Sequence, residues 1–156
     1  MAGMTVVVSC VLFGGIGNSK LEHAVDFHPL PFPGGQAMDH KGADAAFHLA
    51  SGEMITVTSS CEPEEERTLE DLTNGLLLGM RNMKRRSERK RLGHWDGLCT
   101  HVQGTLNQKM FHLDLFVARQ GGCVFDFVLM SPSPLVEKVQ GSFYQWIEEN
   151  GYGNRP

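Results

Sequence analysis

LCTHVQGTLNQKMFHLDLFVARQGGCVFDFVLM, residues 98–130, decides the fold. It reads as three consecutive antiparallel strands joined by two turns. Across 111–118, Leu113, Leu115 and Val117 alternate with His112, Asp114 and Phe116, which is the period of two expected of a strand. After Gln120-Gly121-Gly122 comes CVFDFVLM, in which Phe125, Phe127 and Leu129 share a face. A three-residue loop over 120–122 pairs Val117 with Phe125, Leu115 with Phe127 and Leu113 with Leu129. That register gathers six apolar side chains on one face, and a one-residue slip would scatter them. Two adjacent glycines supply the positive φ of a short hairpin loop. The preceding strand, 98–106, turns at Asn107-Gln108 and sets Val102 opposite Leu113, Thr100 opposite Leu115 and Leu98 opposite Val117. The other face then carries Cys99, His101, Gln103, His112, Asp114, Phe116 and Asp126. So mixed a face fits a sheet covered on one side and largely open on the other.

The segments around this block read as partners for it. Residues 46–49 and 54–60 flank Ala50-Ser51-Gly52-Glu53 as a second hairpin, with Phe47, Leu49, Ile55 and Val57 inward. MITVTSS is rich in β-branched residues and ends at Cys61. Thr68 starts a helix, with Asp71 as the far half of a capping box. Leu69, Leu72, Leu76 and Met80 recur at helical spacing, and Gly75 and Gly79 fit close packing on the sheet. KRRSERKR, 84–91, reads as the solvated end of that helix leading into a strand, and Trp95-Asp96-Gly97 as the turn into the central block. Ser133 caps a last helix, Pro134 takes its first position, and Leu135, Val136, Val139, Phe143, Trp146 and Ile147 form its apolar stripe, stopped at Gly151. The expected fold is α+β: a single antiparallel β-sheet, in the order hairpin, helix, three to four strands, helix, packed by two helices.

Length and composition bound the rest. At 156 residues the chain holds one domain plus extensions. Net charge of −4 and a pI near 5.9 argue against a general nucleic-acid binder. No apolar run is long enough to span a membrane as a helix. Residues 1–17 are an apolar, glycine-rich N-terminus, 18–44 a tether or irregular arm, 45–151 the sandwich domain and 152–156 a tail. Within the first of these, Val7-Val8-Ser9-Cys10 resembles a bacterial lipobox, whose cysteine is acylated after signal cleavage. The apolar stretch before Cys10 is short and no Lys or Arg precedes it, so either the true start lies upstream or this is an ordinary apolar N-terminus.

TLEDLTNGLLLGM, the WDG turn and GGCVFDFVLMSP followed by a helix ending FYQWIE resemble a family of uncharacterised small envelope lipoproteins from deltaproteobacteria-type bacteria. The resemblance covers about residues 45–150 and rests on the combination of pieces. At the level of fold, the order of elements also resembles the PsbP-like sandwich. What the family resemblance implies is a compartment and a fold, not an activity. It implies a cell-envelope protein facing the periplasm, membrane-anchored through a lipid on Cys10, with a disulfide between Cys61 and Cys123. The alternative is a cytoplasmic protein in which those two are thiols. Cys99 is then a free, partly buried thiol.

Three functional readings follow. The first is a non-catalytic envelope module that binds a partner protein or a lipidic ligand, with Lys84, Arg85, Arg86, Arg89, Lys90 and Arg91 meeting an anionic surface. The second is a small metal- or thiol-dependent enzyme. It would use Cys99, His101, His112 and Asp114, with His101, His112, Asp114 and Asp126 as the candidate metal set. The third is a cytosolic protein-interaction domain. His23, His28, His40, His48 and His94 show no ligand spacing, and no nucleophile elbow, P-loop or dinucleotide fingerprint occurs. The sequence therefore implies no catalytic residue, no cofactor and no nucleic acid partner, and it leaves oligomeric state open.

Overall fold

The structure, a computed structural model, describes residues 27–61 and 67–151. Its strands are β1 (Gln36–Ala37), β2 (Ala45–His48), β3 (Met54–Ser60), β4 (Arg81–Leu92), β5 (Trp95–Leu106), β6 (Lys109–Gln120) and β7 (Cys123–Ser131). Its helices are α1 (Leu69–Leu76) and α2 (Glu137–Glu149). Among the described residues the seven strands form one antiparallel sheet, ordered β1-β2-β3-β7-β6-β5-β4. The fold is α+β as expected, with a larger sheet. The additional strands are β1 and β4.

Three two-residue turns link β4 to β7 as a meander. The β5–β6 register is the expected one, with Leu98, Thr100 and Val102 opposite Val117, Leu115 and Leu113. Asn107 and Gln108 both take positive φ, the geometry of a tight hairpin turn. The β6–β7 register differs by one residue from the expected one. Gly121 and Gly122 alone make the turn, at φ 61° and 78°, so Gln120 pairs with Cys123 and Leu115 with Val128. This shift sends Phe125, Phe127 and Leu129 to the face opposite Leu113, Leu115 and Val117. Nothing is scattered, because β7 is apolar on both faces and lies between β3 and β6.

Both faces are therefore covered over most of the sheet, and the expected open face is confined to the part beside β4. On one side α2 lays Phe143, Trp146 and Ile147 over Ile55, Val57, Phe116, Phe125 and Phe127. On the other, Leu76, Leu77 and Met80 in and after α1 cover Val102, Leu113, Leu115 and Val128. The α1 segment carries the chain from β3 across to the far edge. Its cap is the expected one: Asp71 N donates to Thr68 Oγ1 at 3.1 Å, and Thr68 N to Asp71 Oδ2 at 3.4 Å. Helix α2 starts later than expected. Val136 is its N-cap in extended backbone, without a side-chain cap bond. Ser133 does not cap it, because its N–H donates back to Ser131 Oγ at 3.1 Å and Pro134 stays outside the helix.

The basic run is not a helix end. α1 stops at Leu76, Gly79 reverses the chain at φ 91°, and a bulge between Arg81 and Lys84 leads into β4. β4 is an edge strand, where lysines and arginines block further pairing. The turn into the central block falls at Gly93-His94, with Leu92 opposite Trp95. Trp95 is itself core, and its Nε1–H donates to Ile147 O at 3.0 Å.

Residues 27–44, read from the sequence as part of an arm, pack on the domain. Phe27 and Phe32 are buried in the core, and Gln36 and Ala37 pair with β2. Two bonds fasten the arm to α2: Trp146 Nε1–H donates to Leu30 O at 2.9 Å, and Leu30 N–H to Asn150 Oδ1 at 2.7 Å. Cys61 and Cys123 are disulfide-bonded, joining the end of β3 to the start of β7 across 62 positions of sequence.

One position in β5 admits no side chain. A Cβ on Gly97 would lie 2.5 Å from Val117 O and 2.8 Å from Phe116 Cζ. The first is backbone of the paired strand and cannot swing away. Gly97→Val is expected to lower the urea midpoint by an amount equivalent to about 3 kcal/mol, the upper range for overpacking a buried site. Gly141→Ala, with open space around it, is the control.

Candidate functional site

Beside β4 the α2 face of the sheet is not fully covered, and a groove of about 610 Å³ opens there. Lys84, Arg86, Lys90, His101, Gln103, His112 and Asp114 line its sheet side, and Leu135, Gln140 and Tyr144 its helix side. Strand pairing sets the sheet side in rows. Lys84, Gln103 and His112 stand side by side across β4, β5 and β6, and so do Arg86, His101 and Asp114.

Asp114 is the hub. It is 1% exposed, and both carboxylate oxygens are engaged. Oδ1 lies 2.5 Å from His101 Nδ1, while Oδ2 accepts from Gln140 Nε2 at 3.0 Å and from Tyr144 Oη at 3.1 Å. These bonds satisfy a group whose burial would otherwise be costly. Tyr144 spends its one proton on Asp114, so the Cys99 thiol, 3.5 Å away, is the donor to the Tyr144 oxygen. Lys90 Nζ sits 4.8 Å above the Tyr144 ring, in cation–π contact.

Burial pushes the Cys99 thiol up from its ordinary value, with the Tyr144 bond opposing and the Asp114 charge adding to the rise. Burial, the Cys99 bond and the Asp114 charge likewise push the Tyr144 phenol up. In the folded protein both keep their protons as pH rises, whereas in the unfolded chain they ionise from about pH 9 and pH 10. The folded state then binds more protons, so stability is full below pH 9 and falls above it. Urea midpoints should drop between pH 9 and pH 10.5, and Cys99→Ala should remove the earlier part of the drop.

The candidate residues from the sequence divide sharply. His101, His112, Asp114 and Cys99 share the α2 face, and His101 meets Asp114. Asp126 does not join them. It pairs with Val117 and so lies on the α1 face, which the one-residue β6–β7 shift explains. Among the described residues no three His, Cys, Asp or Glu side chains are placed to hold a metal ion. Cys10 lies outside the described residues. The six basic residues split by the alternation of β4. Arg85 bonds Asn74 Oδ1 at 2.5 Å and Glu70 at 3.8 Å, Arg89 faces Asp96 at 3.4 Å, and Arg91 donates to Gly93 O at 3.4 Å. Lys84, Arg86 and Lys90 are on the other side, facing the groove, with no carboxylate in ion-pair range among the described residues.

Sequence reading missed Gln140 and Tyr144. Their spacing of four put them on one face of the helix, and they are polar neighbours of the Val139–Phe143 stripe. That spacing is the signal by which the pair can be found in the sequence.

No family model matches the chain, and no curated protein sequence matches it. Solved structures do. A Bacteroides thetaiotaomicron VPI-5482 protein has TM-score 0.53 at 11% identity over 74% of this chain, which spans 40% of that protein's length. Cyanobacterial PsbP (CyanoP) from Synechocystis sp. PCC 6803 has TM-score 0.51 at 18% identity, over 83% of this chain and 91% of its own. LpqN of Mycobacterium tuberculosis, described as involved in cell envelope biogenesis, has TM-score 0.45 at 11% identity, over 84% of this chain and 82% of its own. The first two likenesses carry a conclusion about architecture: the chain has an α+β sandwich fold with a PsbP-like neighbour.

Proposed function

We propose that this protein is a non-catalytic binding module of the cell envelope that engages an anionic partner, either an envelope protein or a lipid surface, through the groove beside β4. One observation carries the binding reading. Cys99, His101 and Asp114, three of the groups that chemistry would need, are held by bonds to one another, Gln140 and Tyr144, while Lys84, Arg86 and Lys90 face the groove with no carboxylate in ion-pair range among the described residues. Cys99 is buried and holds its proton, so it is a poor nucleophile. The Cys61–Cys123 bond supports an oxidising compartment, because cytosolic thiols are kept reduced. Membership of the small envelope lipoprotein family and acylation of Cys10 belong to the same proposal.

The second reading is an enzyme built on the His101–Asp114 pair, which orients an imidazole the way general-base dyads do. Fractionation of native host cells separates the possibilities. The protein is expected with the envelope membranes, and Cys10→Ala is expected to release it into the soluble envelope fraction. Recovery of the wild-type protein in the cytosol would overturn the proposal.

A further inference from the structure

We infer that the groove is a discrete site for a phosphate-bearing anion, read by Lys84, Arg86, His101 and His112. The inference rests on the binding-module reading and names the ligand chemistry of its groove.

The basic run has the composition of a diffuse charged patch, but the strand breaks it in two. Arg85, Arg89 and Arg91 fall on one side and already have partners within the chain. Lys84, Arg86 and Lys90 fall on the other and line the groove, which Arg85, its side chain bonded to Asn74, also borders. Along an extended strand Lys84 and Arg86 stand ~7 Å apart, and neighbouring strands add ~4.8 Å steps across the sheet. The rows Lys84–Gln103–His112 and Arg86–His101–Asp114 thus form a patch about the size of one phosphate group and its ester. It offers an ammonium, a guanidinium, imidazole N–H donors and the Gln103 amide. This donor set suits a tetrahedral oxyanion, for which a guanidinium supplies paired bonds and an ammonium a point charge.

Two carboxylates are near, and the cations Lys84, Arg86 and Lys90 outnumber them. Asp114 lies beneath the patch, with both oxygens bonded to His101, Gln140 and Tyr144. Glu88 shares the strand face between Arg86 and Lys90 but is not among the groove's lining residues. Leu135 and Pro134 give the site an apolar rim, and the volume of about 610 Å³ fits a small ester or one lipid headgroup.

The test uses the full, disulfide-intact chain. Backbone amide spectra are recorded during titration with sn-glycerol 3-phosphate, and binding is measured to vesicles of phosphatidylglycerol in phosphatidylcholine. Shifts are expected at Lys84, Arg86, His101, Gln103 and His112. Lys84→Gln/Arg86→Gln should weaken binding at least tenfold, while Arg89→Gln/Arg91→Gln, with the same loss of charge, should weaken it less than twofold. Vesicle binding that glycerol 3-phosphate competes away assigns the phosphate to a lipid. Binding of the ester without vesicle binding assigns it to a soluble ester. Both outcomes support the site. Equal losses in the two double variants, or no binding of either probe, would overturn it. An oxidised, envelope-located protein that binds neither probe would refute this inference and leave the binding-module reading standing.

Discussion

Trp146→Ala is expected to destabilise the fold by about 4 kcal/mol, in the range for truncating a buried tryptophan, and to detach the arm from α2. Trp146 is 1% exposed and touches four rings: Phe32, Phe47, Phe127 and Phe143. Its ring ties together three pieces that are distant in sequence: the arm, the β2 edge region and the carboxy-terminal helix. Its Nε1–H also satisfies Leu30 O, and an orphaned buried carbonyl adds about 1 kcal/mol. Denaturant midpoints give the first effect. Hydrogen exchange gives the second, since the Leu30 amide, held by Asn150 Oδ1, should lose most of its protection. Trp146→Phe keeps much of the packing and should lose less than half as much stability. Equal losses from both variants would show that the arm bond, and not the ring, holds this region.

Reducing the disulfide should have an effect of similar size. Cys61 and Cys123 close a loop spanning 62 positions, for which the chain-entropy model gives about 4 kcal/mol. For a chain of this length that corresponds to a fall in Tm of roughly 10 °C. The bond clamps the β3–β7 pair beside Ser60 and Val124, where the sheet's outer hairpin joins the meander. Cys61→Ser/Cys123→Ser should reproduce the fall and be insensitive to added reductant. Cys99→Ala should retain the full response to reductant, since that thiol takes no part in the bond. A Tm unchanged by reduction would remove the disulfide from the stability of this fold.

The parts of the fold legible in the sequence are those where one signal acts alone. The β5–β6 register could be read because alternation and the Asn107-Gln108 turn agree. Thr68 and Asp71 announce the α1 cap by their spacing. The β6–β7 register could not be read, because CVFDFVLM is apolar on both faces. The assumption that all apolar residues share one face then chose the wrong loop length. That single residue misplaced Asp126 and took Phe125, Phe127 and Leu129 away from the face they cover beneath α2. β4 carries no hydrophobic period, since eight of its twelve residues are charged, and charge is what keeps an edge strand from further pairing. At the site, His101 opposite Asp114 followed from the register. The separation of Arg85, Arg89 and Arg91 from Lys84, Arg86 and Lys90 needed β4 to be known as a strand. Gln140 and Tyr144 needed α2 to be placed over the Asp114 face.

Among the described residues Cys61 and Cys123 are bridged and Cys99 is a buried thiol, and the binding-module reading needs both states in the cell. The most direct measurement is peptide mass mapping of protein taken from its native host, with thiols blocked by alkylation at the moment of lysis. A Cys61–Cys123 linked peptide that separates only on reduction is expected, with Cys99 left unmodified until the protein is unfolded. Cys61 and Cys123 recovered as separately alkylated peptides, with Cys99 modified in the folded protein, would contradict it. That result would move the protein to a reducing compartment and make Cys99 a candidate reactive group.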